Sequence, residues 1–185
     1  DWFGRDSRPG VWVPCALSRL RLTADGAGIQ PNVQRPAGAQ LWNADIHDRL
    51  AADDYGDPTR PLSPITLLGP RNGTFSGMVV LSSDRPIAGV KATMSDLSGP
   101  GSIPASAAQV RYCLDADINN GANRPAFVYE MISPVPPAEA AVRKPAPGTR
   151  TPPDAVAPGA LVPVLVSVAV PPDAQAGQYE GRLTV

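Results

Sequence analysis

The only histidine of this chain stands between two carboxylates, in the run Asp45-Ile46-His47-Asp48. In serine and cysteine hydrolases, a histidine oriented by a carboxylate takes the proton of the nucleophile, so a triad here would have to use His47. The Gly-x-Ser-x-Gly turn that presents a nucleophilic serine does not occur in the sequence. The pattern therefore favours His47 as a solvated polar residue in a loop.

Carboxylates are dense just after this histidine, at Asp53, Asp54 and Asp57. Two carboxyl groups that flank a glycosidic bond can hydrolyse it, and the distance between them sets the stereochemical outcome. The surrounding run Ala-Ala-Asp-Asp-Tyr-Gly-Asp also has the composition of an ordinary turn, in which Asp side chains bind nearby backbone amides. We therefore assign no catalytic residue and predict that the chain is not an enzyme.

Oxygen-bearing side chains alternate along the run Asp115-Ala-Asp117-Ile-Asn119, as they do in calcium-binding loops. The run is not an EF-hand, because the glycine comes one place late, at Gly121, and position twelve is Ala126 instead of a glutamate. We predict Asp115, Asp117 and Asn119 as candidate ligands of a looser calcium site. The alternative is a polar turn between strands, and no other cofactor is expected.

Aromatic side chains are the usual platform for sugar binding, provided that they are exposed beside polar groups in a shallow face. Trp2, Phe3 and Trp12 are candidates for carbohydrate contact, and Tyr55 offers a further ring. Trp42 lies in an alternating segment and is predicted to belong to the core.

The two cysteines, Cys15 and Cys113, are too far apart in sequence for a Cys-x-x-Cys redox or zinc motif. A disulfide between them would close a loop of roughly 100 residues, worth about 4–5 kcal/mol in the chain-entropy account. The alternative is two buried thiols. Sequence separation does not decide between these possibilities, because disulfide formation depends on geometry.

Composition narrows the classes of partner. The 185 residues carry 16 basic and 17 acidic side chains, for a net charge of −1, whereas nucleic acids and anionic membranes are bound by basic surfaces. We therefore expect no nucleic-acid partner. No apolar run of the sequence approaches the roughly 20 residues of a membrane span.

The elements that would position these side chains are strands. The apolar runs are short, β-branched and bounded by turn residues, in a chain with 23 prolines and 17 glycines, which is typical of all-β sandwiches and barrels. Apolar and polar residues alternate clearly from Val90 to Ser95. Further strands are predicted in the runs SPITLL, TFSGMVVLSS, AQVRYCLDAD and AFVYEMI.

The last two apolar runs are predicted to pair with each other. LVPVLVSVAV is β-branched, PPDAQAG has the composition of a turn, and QYEGRLTV alternates with a period of two. Two strands joined by a short turn form a hairpin. We expect this hairpin to be part of the core.

Four segments of the chain occur in a familiar order: ADIHDRLAADD, SPITLLGPRNG, IAGVKATMSDLSGPGSIPASAAQVRY and VPVLVSVAVPPDAQAGQYEGRLTV. Together they resemble the N-terminal β-sandwich domain of glycoside hydrolase family 123-like proteins, over residues 39–132 and 161–185. In those proteins the sandwich precedes a TIM-type barrel. This chain departs from the family pattern at Gly73, where an acidic residue usually follows Arg-Asn.

The expected architecture is one antiparallel β-sandwich over residues 1–185, immunoglobulin-like or jelly-roll-like. Within it, residues 1–38 are an N-terminal extension, and the Pro- and Ala-rich residues 133–160 are a long surface loop.

The resemblance implies a non-catalytic accessory module of an extracellular glycoside hydrolase-like protein. Such a module packs against and positions a catalytic barrel that follows it in the same chain, and the protein would be secreted, periplasmic or attached to the cell surface. The alternative is a structural or adhesive cell-surface module that self-assembles through edge strands or serves as a spacer.

Overall fold

Short apolar runs, some of which alternate with polar side chains, form the strands of this chain. The structure, a computed structural model, describes residues 35–116, 128–144 and 157–185. In chain order the strands are β1 (Ala39–Ala44), β2 (Thr74–Ser83), β3 (Ile87–Ala88), β4 (Thr93–Met94), β5 (Leu97–Ser98), β6 (Ser102–Ile103), β7 (Ala108–Ala116), β8 (Val128–Ser133), β9 (Glu139–Ala140), β10 (Ala160–Ala169) and β11 (Leu183–Thr184).

Within these described ranges, the main sheet has five strands in the order β1-β2-β10-β7-β8, and every neighbouring pair is antiparallel. β10 is the central strand, and its Val164 lies opposite Val79 of β2 on one side and Tyr112 of β7 on the other. A strand with neighbours on both sides and both faces covered is expected to be a near-continuous apolar run. The run from Ala160 to Val164 is buried throughout.

Each face of this sheet carries its own apolar cluster. On one face Met78, Val80, Cys113 and Leu161 pack with Leu50, and Trp42 is partly buried against them. On the other face the buried members are Val79, Val90, Tyr112, Val162 and Val164. The prediction of an all-β antiparallel fold is confirmed, and so is the placement of Trp42 at the core. The sandwich subtype stays a prediction.

The predicted terminal hairpin is wrong. β11 pairs with β4, Leu183 opposite Met94, and does not pair with β10. The physical reason is that β10 already has β2 and β7 as neighbours, so it has no free edge left to offer. The residues after β10 instead lead the chain to the short strands β4 and β5, where Ser98 bridges Glu180.

The strand predicted in SPITLL is also wrong. Residues 61–70 form no strand, although they lie beside the end of β1 and are hydrogen-bonded to it. The alternation predicted from Val90 to Ser95 is confirmed: Val90 is buried, Ala92 and Met94 are half-buried, and the residues between them are exposed. Asn72 has a φ of 59°, which agrees with a tight turn at Asn-Gly.

The Pro-rich stretch 133–160 contains structure that its composition did not indicate. Glu139–Ala140 form β9, which pairs with β3, and Arg143 bridges Gly159. Residues 145–156 of that stretch, like residues 1–34 of the predicted N-terminal extension, lie outside the described residues. Among the described residues, no helix has the length and apolar character needed to cross a membrane.

Candidate functional site

Asp45 and His47 lie directly after the end of β1. His47 donates its backbone N–H to Asp45 Oδ1 at 2.9 Å, and its Nδ1 lies 2.7 Å from the same oxygen. The carboxylate fixes the ring tautomer, because Nδ1 carries the proton that faces Asp45. The two side chains are 85% and 67% exposed. Such a pair is solvated, as predicted for His47, and lacks the burial that tunes catalytic groups.

The hydrogen bonds from His47, the backbone one above all, hold the pKa of Asp45 below its usual value. We expect His47→Ala to raise that pKa partly, because the ring contact is lost while the backbone N–H remains. A titration of the Asp45 carboxyl carbon by nuclear magnetic resonance measures the change. An unchanged Asp45 titration would show that the ring contact does not exist in solution.

Beside this pair lies a shallow cleft with a volume of about 330 Å³. It opens where β1 ends at Ala44, and no strand in the described part of the chain pairs with residues 74–77 of β2 on that side. Asp45, His47, Ile65 and Ser76 are among the residues that line it. The cleft combines hydroxyl, carboxylate and aliphatic surface, which suits contact with a polar partner.

Arg35 connects the segment 52–55 with the segment that precedes β10. Its Nη2 donates to the carbonyl oxygens of Ala52 and Asp54, each at 2.8 Å, and lies 3.4 Å from that of Ala157. Its guanidinium carbon lies 5.3 Å from the centre of the Tyr55 ring, within the range of a cation–π contact. Burial lowers the pKa of Arg35, and Tyr55, Asp53 and Asp54 oppose that shift. One side chain thus connects two segments distant in sequence.

We expect Arg35→Ala to lower the free energy of unfolding by about 1–3 kcal/mol, because it leaves partly buried carbonyl groups without their donor. Urea denaturation followed by circular dichroism provides the measurement. The matched control is Arg60→Ala, which removes an exposed pair with Asp57 at 3.6 Å and should change stability by about 0.5 kcal/mol or less. Equal effects of the two substitutions would contradict the role of Arg35.

A second cleft, of about 210 Å³, lies where β7 separates from β10. The two strands pair only from Val164 to Val168 of β10. Pro163, just before that stretch, has no N–H for a ladder, which agrees with the end of pairing at this point. The cleft is lined by Cys113, Asp115, Tyr129, Met131, Arg143 and Leu161, among others.

The polar groups of this second cleft either keep their protons or are paired with an opposite charge. Burial, with a smaller contribution from Asp115, raises the pKa of Tyr129 to about 12, so the phenol keeps its proton at neutral pH. Burial also raises the pKa of the Cys113 thiol, which disfavours the nucleophilic thiolate. Asp115 Oδ2 lies 3.3 Å from Arg143 Nε, so carboxylate and guanidinium neutralise each other.

The sequence-predicted site residues fall partly outside the described residues. Trp2, Phe3 and Trp12, the carbohydrate candidates, lie outside them, as do Cys15, Asp117 and Asn119. Cys113 is buried and is not bonded to another described cysteine, so the disulfide stays a prediction. Asp115 faces Arg143, and the calcium site also stays a prediction.

Sequence reasoning did not find Arg35, Tyr129 or Arg143. Each stands alone in its stretch of sequence, without a motif around it. Their partners are distant: Arg35 binds near Ala157, and Arg143 meets Asp115. Only the long-range pairing of the sheet brings these groups together, so no local signal was available.

The fold occurs in a known enzyme. It is similar to part of a family 123 glycoside hydrolase from Clostridium perfringens, whose structure concerns glycolipid glycan hydrolysis, with a TM-score of 0.53 and 12% sequence identity. The match covers 80% of this chain and 24% of the enzyme chain. At this identity the likeness shows the fold alone. No protein-family model and no curated protein matches the sequence.

Proposed function

We propose that this chain is a non-catalytic accessory module of a glycoside hydrolase-like polypeptide, in which it packs against and positions a following catalytic barrel. The observation that carries this proposal is the unequal coverage of the structural match, 80% of this chain but 24% of the hydrolase chain. A fold that makes up a minor part of a larger enzyme is suited to supporting the remainder.

The state of the polar groups favours support over catalysis. Asp45 and His47 are largely exposed, and the lowered pKa of Asp45 makes its carboxylate a weaker base. Tyr129 and Cys113 keep their protons because of burial. A group that keeps its proton at neutral pH is not available as a general base, which applies to Tyr129 and Cys113 alike.

The proposal extends to the location of the protein and to two further ligands. A glycoside hydrolase-like polypeptide of this type would be secreted, periplasmic or attached to the cell surface. Carbohydrate is a second partner, through Trp2, Phe3 and Trp12, and calcium is a candidate ligand of Asp115, Asp117 and Asn119. The net charge of −1 does not favour nucleic acid as a partner.

The test compares the 185-residue chain with the longer polypeptide encoded by its gene, on a panel of aryl glycosides. We expect turnover by the longer polypeptide and none by the 185-residue chain. Removing residues 1–185 from the longer polypeptide should lower its melting temperature. Turnover by the short chain that disappears in Asp45→Asn or Asp48→Asn would overturn the proposal.

One observation favours the second candidate, a self-assembling structural or adhesive module. Among the described strands, β8 lies at an edge of the main sheet, and its Met131 and Ile132 are each 52% exposed. Natural proteins usually protect edges with charge or proline, since an apolar edge can pair with another chain. Light scattering after size exclusion distinguishes this candidate: it requires dimers or larger assemblies that Ile132→Lys disperses, whereas an accessory module stays monomeric.

A further inference from the structure

Residues 61–70, Pro-Leu-Ser-Pro-Ile-Thr-Leu-Leu-Gly-Pro, form an exposed segment that we call the apolar loop. It contains no charged residue, in a chain of which 18% of residues are charged, and Arg60 and Arg71 flank it. Leu62 is 51% exposed and Leu68 is 95% exposed. An uncharged apolar centre with charged residues at its rim is the composition of protein–protein interfaces.

The apolar loop is fixed in place at its first half. Asn43 of β1 accepts hydrogen bonds from the backbone N–H of Ser63 at 2.8 Å and from its hydroxyl at 3.1 Å. The Asn43 amide also donates to the Ser63 carbonyl oxygen at 2.9 Å. Ile65 packs on the apolar cluster of Val79 and its neighbours, directly over Gly77, where a Cβ would overlap the isoleucine.

The second half of the loop is fixed as well. Gly69 lies so close to the Phe75 ring that a Cβ would overlap it. After the loop, Asn72 donates its N–H to the carbonyl oxygen of Val170 at 2.9 Å, and Val170 donates to that of Gly73 at 2.8 Å. These contacts therefore fix the backbone on both sides of Leu68.

A fixed backbone keeps Leu68 exposed, whereas a flexible backbone would not. Apolar surface in water is unfavourable, and a free loop would let Leu68 fold back onto the protein. Here the neighbouring contacts hold it outward. A loop whose backbone is ordered before association has less freedom to lose on binding, which favours affinity.

We propose that the apolar loop is the docking surface for the neighbouring domain of the same polypeptide, with Leu68 as the anchor that enters an apolar recess of that domain. This inference rests on the proposed function. The occupant is another domain because the same fold accounts for 24% of a longer chain in the family 123 hydrolase. The recess should carry an acidic residue at its rim, opposite Arg71, since rim charges across an interface are complementary.

Amide hydrogen exchange tests the proposal. It is measured over residues 61–70 in the 185-residue chain and in the longer polypeptide encoded by its gene. We expect exchange in the longer polypeptide to be slower by roughly tenfold or more, which corresponds to about 1.4 kcal/mol of protection. Leu68→Asp should restore the faster exchange there and leave the melting temperature of the 185-residue chain unchanged. The control is Val135→Asp, at another strongly exposed apolar residue, which should not restore it.

Several results would overturn the inference. Equal exchange of residues 61–70 in both proteins would show that this loop is not covered. If deletion of residues 1–185 still destabilises the longer polypeptide in that case, the proposed function stands and only the docking surface is wrong. If Val135→Asp restored the faster exchange and Leu68→Asp did not, the interface would lie near Val135 and not at Leu68. Protection that rises with the concentration of the 185-residue chain would identify a second copy as the occupant. A gene that encodes no further domain would overturn both this inference and the proposed function.

Discussion

Val164→Asp is expected to abolish cooperative folding of the chain. Val164 is fully buried, at 0% exposure, and lies between Val79 of β2 and Tyr112 of β7 at the centre of the sheet. Losing a buried valine costs about 1.5–3 kcal/mol, and a carboxylate without a partner costs several kcal/mol more. Domains of this size are stable by only about 5–15 kcal/mol. Thermal denaturation followed by circular dichroism should show no transition.

The matched control is Ala169→Asp, which introduces the same group in the same strand at an exposed position. Ala169 lies opposite Thr74 at the end of the ladder, where the carboxylate stays in water. This variant should melt within a few degrees of the original chain. A Val164→Asp variant that also melts cooperatively near the original temperature would mean that β10 is not the centre of the sheet.

Gly99→Ala is expected to destabilise the fold by about 1–3 kcal/mol, the usual cost of overpacking. A Cβ at position 99 would overlap the backbone carbonyl oxygen of Gln178 and would lie 3.0 Å from the Tyr179 ring. A backbone carbonyl cannot move aside as a flexible side chain can. The adjacent bridge between Ser98 and Glu180 would therefore open, and urea denaturation measures the loss.

Gly101→Ala is the control for this substitution, because it lies in the same turn and its Cβ would meet only the Tyr179 hydroxyl, at 3.5 Å. That is ordinary van der Waals contact, so the change should be about 0.5 kcal/mol or less. If both alanines cost the same, the segment 178–180 does not sit against the turn at Gly99 in solution.

Short apolar runs bounded by turn residues predicted the long strands. β2, β7, β8 and β10 lie where short apolar runs end in turn residues, and burial from Val90 to Ser95 follows the predicted period. A period of two depends on the local backbone, because successive side chains point to opposite faces of a sheet. It carries information about which face is buried, and none about which strand lies next to it.

Pairing and site geometry could not be predicted for that reason. The terminal runs looked like a hairpin because they are adjacent in sequence, yet β11 pairs with β4. The run at Ile65 looked like a strand because it is apolar, but it makes its contacts through Asn43 and the surface of β2. The contacts of Arg35 with Ala52 and Ala157 depend on those same long-range pairings.

The position of the central strand constrains how this chain acquires its structure during synthesis. β10 lies between β2 and β7 in the sheet. Across the pairing of β10 with β2, the hydroxyls of Ser167 and Ser76 lie 2.7 Å apart, although the two residues are 91 positions apart in sequence. Strands β1, β2, β7 and β8 therefore emerge from the ribosome before the strand that connects them exists. Sheets dominated by such distant pairings fold slowly, in roughly milliseconds to seconds. Until residue 169 has been translated, the edges of β2 and β7 that face β10 lack their native partner, and unpaired strand edges of this kind are prone to aggregation.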